Sequence, residues 1–300
     1  MIKIVKVFLL TLILLWVAAY GSAAFALINI ISAENVYGEV AKELGGPYVN
    51  VANILNNPTQ DPHLFNINPS TAKMAAKADI LIYNGADYDP WMKSLLTIKG
   101  RENRSVVEVS QLINLNTSQN PHIWYMPDTM PVFAQKMATI LSQRDPEHRD
   151  YFNQQLDQFN QHYQVIFNQI KTLKKKYQHT PVIATEPLFN YMAEYIGLDM
   201  HGIGFQMNTM NDVPPTISQI KQFEADLNQH TVRVLIYNSQ VANPLTKRML
   251  AIAQKSAIPT VGVTEMLPAG TTYISWMEQQ LHSLEMALAD NHGQRKNESK

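Results

Sequence analysis

From residue 27 onward, short β-branched runs alternate with stretches whose apolar positions recur every three or four residues, the pattern of parallel strands crossed over by helices. The first half predicts strands over 28–33, 49–55, 79–83 and 105–109, with helices over 35–44, 69–78 and 128–141. Ser70 stands where an N-cap would open the second of these helices. In the second half the same alternation predicts strands over 182–185, 200–204, 232–237 and 260–264. The helices that accompany them are expected over 187–196, 212–227, 244–255 and 273–288, followed by a polar, fraying tail over 291–300.

Between the two series runs a pattern without Gly or internal Pro over 146–177. Its apolar residues Phe152, Leu156, Phe159, Tyr163, Ile166, Ile170, Leu173 and Tyr177 keep helical spacing throughout. At about 1.5 Å per residue this is a rod about 45 Å long, several times the length of a mean helix of about 11 residues. Such a rod reads as a rigid strut. Lys174, Lys175 and Lys176 near its end suit the negative end of the helix dipole and read as a solvated face. The predicted fold class is therefore α/β: two lobes, each a parallel-type sheet flanked by helices, over 27–145 and 179–300, joined by one long rigid helix over 146–178.

Residues 1–26 follow another grammar: Lys3 and Lys6, an apolar run over 7–19, then small residues ending in Ala24-Phe25-Ala26. This is the order of a secretory signal peptide. An apolar core of about 13 residues is short of the roughly 20 needed to span a bilayer. Because the segment carries two Lys and no acid, its removal leaves the mature chain at a net charge of −3. A soluble, monomeric protein exported to a bacterial periplasm is expected.

The charge balance of 24 basic against 25 acidic residues provides no basic field for nucleic acid. With no Cys in 300 residues, disulfides, thiolate metal sites and cysteine nucleophiles are excluded. Any metal must sit on His, Asp or Glu. Four such residues lie beyond the carboxyl end of a predicted strand, the edge at which open parallel sheets bind ligands. They are His63 in Asn57-Pro-Thr-Gln-Asp-Pro-His-Leu-Phe65, His122 in Asn120-Pro-His-Ile-Trp-Tyr125, Glu186 in Ala184-Thr-Glu-Pro187, and Glu265 in Gly262-Val-Thr-Glu265. Both histidines follow a Pro, which stiffens the turn that presents the ring. Two imidazoles from one lobe and two carboxylates from the other would make a four-ligand site for a divalent ion. Spacing alone is only suggestive of this. His148, His162, His179, His230, His282 and His292 fall on polar faces or helix ends and are read as structural, while His201 is read as a core or cleft residue.

Four segments carry a family resemblance: Ser32-Ala-Glu-Asn-Val-Tyr-Gly38, Gln60-Asp-Pro-His-Leu-Phe65, Asn84-Gly-Ala-Asp-Tyr-Asp-Pro-Trp91 and Asn120-Pro-His-Ile-Trp124. With them the chain resembles the periplasmic metal-binding solute receptors of zinc and manganese ABC transporters, over essentially the whole mature length. The resemblance implies two α/β lobes joined by one helix, capture of one transition metal ion, and delivery to a membrane permease, without catalysis. It also implies His63 as the first ligand, His122 as the second and Glu186 as the third. The family's fourth ligand is usually Asp, and Glu265 is the nearest match here.

Two imidazoles with two carboxylates lean toward Mn²⁺ or Fe²⁺, although Zn²⁺ binds such sets well. Residues 64–121 contain no His, unlike the His-rich loop of many zinc receptors, which tilts the expectation toward manganese. The ligands must be neutral imidazoles and ionised carboxylates, so affinity is expected to fall as pH drops through about 6.5. Asp61 and Asn120 are candidates either to hold the His tautomers or simply to form Asx turns. Phe65, Trp91, Trp124 and Tyr125 either wall the site or pack as core, the latter favoured for Trp91. The competing readings are a metal-dependent hydrolase, for which His-Glu-x-x-His and Gly-x-Ser-x-Gly are missing, and a surface adhesin, for which the lipid-anchoring Cys is missing.

Overall fold

The computed structural model describes residues 27–56, 65–115, 120–241 and 243–290. The expected signal segment, the tail, and Asp61, His63 and His292 lie outside the described residues.

In the N-terminal lobe, β1 (Ile28–Glu34) leads into α1 (Asn35–Gly45) and returns as β2 (Val49–Leu55). Then follow α2 (Pro69–Lys77), β3 (Ile80–Tyr83), α3 (Met92–Leu96), β4 (Ser105–Glu108), α4 (Val109–Leu112) and α5 (Thr129–Arg144). All pairings are parallel in the order β2-β1-β3-β4, with Ile30 beside both Val51 and Ile80. The four residues of β3, Ile80 to Tyr83, are all buried, as a strand covered on both faces requires.

A 3₁₀ turn over Pro146–His148 precedes the strut itself, α6 (Arg149–Tyr177), of 29 residues. Its buried positions are Phe152, Leu156, Phe159, Tyr163, Ile166, Ile170 and Leu173, the stripe expected from spacing, while Tyr177 is partly buried. Beyond it lie β5 (Pro181–Ala184), α7 (Asn190–Ile196), β6 (Asp199–His201), α8 (Ile203–Met210), α9 (Ile217–Asn228), β7 (Leu235–Asn238), α10 (Pro244–Lys255), β8 (Thr260–Val263) and α11 (Tyr273–Ala289). The second sheet, β6-β5-β7-β8, is again all parallel and repeats the order of the first. One apolar cluster runs from Ile30 and Ile80 of the first sheet, along the strut, to Val182 and Ile236 of the second. No helix among the described residues is long and apolar enough to cross a membrane.

Three local expectations need correction. The cap of α2 is Asn68, whose Oδ1 accepts from Thr71 N at 3.0 Å, and Ser70 sits one residue inside because Pro69 takes the first helical position. The strand expected over 200–204 ends at His201, because Gly202 at φ 72° turns the chain into a helix that the sequence pattern did not reveal. The helix expected from 212 begins at Ile217, after Pro214 and Pro215, where Thr216 and Gln219 form a capping box.

Candidate metal centre

In each sheet the strand order reverses between the first and third strands, β1/β3 and β5/β7, and the carboxyl ends there form the crevice that binds ligands in open α/β sheets. The two crevices meet across a hydrogen-bonded seam. Asn35 and Leu267 exchange two hydrogen bonds, Asn35 Nδ2 to Leu267 O at 2.8 Å and Leu267 N to Asn35 Oδ1 at 3.0 Å. Tyr125 donates to Thr264 O at 2.7 Å, and Tyr191 donates to Asn120 O at 2.8 Å.

His122 is buried in the turn before a 3₁₀ segment, Ile123–Tyr125. Asn120 Nδ2 donates to Pro187 O of the opposite lobe at 2.8 Å, which orients the amide so that its Oδ1 faces the ring. That oxygen accepts from His122 N at 3.2 Å and lies 2.7 Å from His122 Nδ1. The ring proton therefore sits on Nδ1 and leaves Nε2 as the basic nitrogen, the arrangement a metal-ligating imidazole needs. Asn120 thus does both things the sequence allowed, forming the Asx turn and fixing the tautomer.

Glu186 follows β5 by two residues and is buried; Glu265 follows β8 by two and is half-buried. The two carboxylates meet on one amide. Asn238, the last residue of β7, donates from Nδ2 to Glu186 Oε2 at 2.9 Å and to Glu265 Oε1 at 2.7 Å. The other Glu265 oxygen, Oε2, accepts from the Tyr88 hydroxyl at 2.8 Å, a bond that reaches over from the N-terminal lobe. The Tyr88 ring meets His122 edge-on at 5.8 Å between centroids, and Trp124 also meets His122 edge-on, at 5.3 Å. His122, Glu186 and Glu265 therefore face one locality through Tyr88 and Asn238. Among the described residues, no three His, Asp or Glu side chains are close enough to hold a metal ion.

Tyr88 owes its place to a tight turn. Gly85, Ala86 and Asp87 all have positive φ, at 75°, 52° and 62°. A Cβ on Gly85 would also collide with Ser110 Oγ and the Glu108 carboxylate. Asp89 closes the turn by accepting from Asn84 N at 2.8 Å and Gly85 N at 3.0 Å. Beside Asp89 lies Glu34, the buried last residue of β1, neither of whose carboxyl oxygens meets a donor among the described residues. Burial, and then the charge of Asp89, push Glu34 well above the usual carboxylate range; burial raises Asp89 itself to about 6. Glu34 accordingly favours its protonated, neutral form. Burial, reinforced by the nearby Glu265 charge, also raises the Tyr88 phenol, which stays a donor.

Asn84 completes this frame. It donates to Pro121 O at 3.0 Å, immediately before His122, and accepts from Tyr37 at 2.5 Å. Phe65 and Trp91 pack together, 4.6 Å between centroids, in a smaller apolar cluster with Met266, so Trp91 is core as favoured above. Half-buried His201 lies at the end of β6, with Nδ1 3.4 Å from Asp226 Oδ2, and His148 pairs with Asp145 and stacks on Tyr48. Residue-type reasoning missed Tyr88 and Asn238. Tyr88 lies within the Asn84–Trp91 segment already singled out, while Asn238 had only its position at a strand end to signal it.

Comparison with known proteins bears on the whole chain. The manganese ABC transporter substrate-binding lipoprotein PsaA of Streptococcus mitis is 24% identical over 310 residues, covering 94% of this chain and 97% of its own length. PsaA of Streptococcus pneumoniae serotype 4 is 24% identical over 288 residues, covering 87% and 89%. Among solved structures, the periplasmic zinc binding protein TroA from Treponema pallidum superposes with a TM-score of 0.74 at 17% identity, covering 88% of this chain and 100% of that one. The Mn-bound periplasmic metal binding protein from Candidatus Liberibacter asiaticus gives a TM-score of 0.70 at 16% identity, covering 87% and 99%. At these identities the structures establish the two-lobed fold. Residues 30–287 match the family described as ZnuA, zinc-uptake complex component A, periplasmic, and the chain belongs to that family.

Proposed function

We propose that this chain captures one divalent transition metal ion, Mn²⁺ or Zn²⁺ with Fe²⁺ also accommodated, in the cleft between its lobes, and passes it to the membrane permease of an ABC transporter. The proposed ligands are His63 and His122 from the N-terminal lobe and Glu186 and Glu265 from the C-terminal lobe. The proposed layout is a signal peptide over 1–26, lobes over 27–145 and 179–300, and a connecting helix over 146–178. We place the mature protein in the periplasm as a monomer that performs no catalytic turnover. The relatives named above are lipoproteins of manganese transporters, whereas this chain has no Cys.

The observation that carries the reading is the meeting of Glu186 and Glu265 on the Asn238 amide, beside a His122 whose tautomer Asn120 fixes. Four protein ligands leave little room for a substrate on the metal, which counts against a hydrolase. The test is calorimetric titration of Mn²⁺ and Zn²⁺ into the stripped wild type and the His63→Ala/His122→Ala double variant, with elemental analysis of protein from the periplasmic extract. Wild type should take up one equivalent tightly and the double variant should lose it. Retention of one equivalent at unchanged affinity by the double variant would overturn the assignment.

A further inference from the structure

Two carboxylates held close together repel, and in most ion sites the cation itself resolves the repulsion. Here a neutral side chain does so. Asn238 is 1% exposed, and its Oδ1 accepts from Gln240 N at 3.0 Å, which fixes the amide with its nitrogen toward the acids. Each carboxylate takes a hydrogen bond from that one nitrogen. The loop carrying Glu265 is tied to the same segment, since Gln240 Oε1 accepts from Glu265 N at 2.7 Å and Met266 N at 3.2 Å. Tyr88 fixes the other Glu265 oxygen from across the cleft. The separation of the two carboxylates is therefore set by the protein before any ion arrives.

We propose that Asn238 is a positioning residue that sets the metal preference of the cleft by holding Glu186 and Glu265 apart at a fixed spacing. This rests on the reading of those two residues as ligands. By raw affinity Zn²⁺ outcompetes Mn²⁺ at almost any mixed nitrogen and oxygen site, so a preference for Mn²⁺ has to be imposed by geometry. Zn²⁺ makes short bonds in a small coordination sphere and can draw loose carboxylates inward. Mn²⁺ binds more weakly and gains more from oxygens already in place. Asn238 supplies that order and limits the collapse that would favour Zn²⁺.

The experiment titrates Mn²⁺ and, against a competing chelator, Zn²⁺ into the metal-stripped chain, using wild type, Asn238→Ser and Asn238→Asp. Serine removes the shared amide with little demand on packing. Aspartate keeps the shape and the acceptor for Gln240 N but loses both donors. Its added charge acts on both divalent ions alike, so the ratio of the two dissociation constants reports geometry. We expect the Mn²⁺ Kd to rise about 10-fold or more and the Zn²⁺ Kd by no more than about threefold in Asn238→Ser, the former within the range seen for partners of metal ligands, and the ratio of the Mn²⁺ Kd to the Zn²⁺ Kd to rise at least about threefold in both variants. Equal weakening for both metals, the mark of a merely structural residue, overturns the inference, as does an unchanged ratio. Glu186→Gln and Glu265→Gln are titrated alongside. If they bind both metals as wild type does, the ligand assignment itself fails; if they lose metal while the Asn238 variants keep the wild-type ratio, only the present inference fails.

Discussion

At the end of β1 and just past β3 the N-terminal lobe carries Glu34 and Asn84; at the near-equivalent places, past β5 and at the end of β7, the C-terminal lobe carries Glu186 and Asn238. The same pair of residue types at one topological position serves two purposes. Glu34 has another acid, Asp89, as its neighbour, and burial with that charge pushes it toward its protonated form behind the turn that carries Tyr88. Glu186 has an amide donor as its neighbour, Asn238 Nδ2 at 2.9 Å. Asn84 hydrogen-bonds backbone at Pro121 and Gly85, building the frame behind His122, whereas Asn238 hydrogen-bonds carboxylates. One lobe's acid is buried against a second acid, whereas the other's is held by an amide that it shares with Glu265.

The sharpest way to break this comparison is to neutralise both glutamates in turn. Glu186→Gln should weaken metal binding at least about 100-fold, beyond the range of outer partners, while Glu34→Gln should change it by no more than about threefold, both read by calorimetry. Equal losses would show that Glu34 is part of the ligand set. A smaller effect is expected from Asn84→Ala, which strands the buried Tyr37 hydroxyl and Pro121 carbonyl. It should cost about 2 kcal/mol in urea unfolding of the metal-free protein. An unmoved midpoint would remove Asn84 from the frame.

The smallest effect concerns pH. Burial raises the folded-state pKa of Glu34 and takes Asp89 to about 6, and on α1 burial lifts Glu39 to about 7. Above the ordinary carboxylate range, the folded protein holds protons that the unfolded chain has released. The stability these groups contribute is therefore complete at low pH and is lost as pH rises through about 6 to 7. The free energy of urea unfolding of the metal-free protein should fall between pH 5.5 and 7.5, and the midpoint with it, by only part of the roughly 1.4 kcal/mol that each unit of pKa shift represents. Glu39→Gln and Glu34→Gln should each flatten the slope. A midpoint that rises over this interval would contradict these assignments.

Much of this was legible in the chain. The strut showed itself because seven buried positions keep one helical period, and the helix expected over 244–255 is α10 at its observed bounds, where Asn243 caps the start and Pro244 takes the first position. What stayed hidden was set by backbone conformation or by neutral residues. Gly202 opens α8 only because it adopts a left-handed conformation, and two glycines in three residues masked the helical pattern. His122, Glu186 and Glu265 could be singled out as candidates because chemistry limits metal ligands to few residue types. Tyr88 and Asn238 matter for what they touch across the fold, and no local spacing encodes that.

The apolar cluster that runs unbroken along α6 from one sheet to the other constrains how cargo enters and leaves. A clamshell motion would have to tear close-packed interior surface apart, and such interiors resist continuous deformation. Movement that leaves this core intact is confined to the loops at the strand tips, and under the proposed function a docking permease would read the metal state from the posture of those few segments.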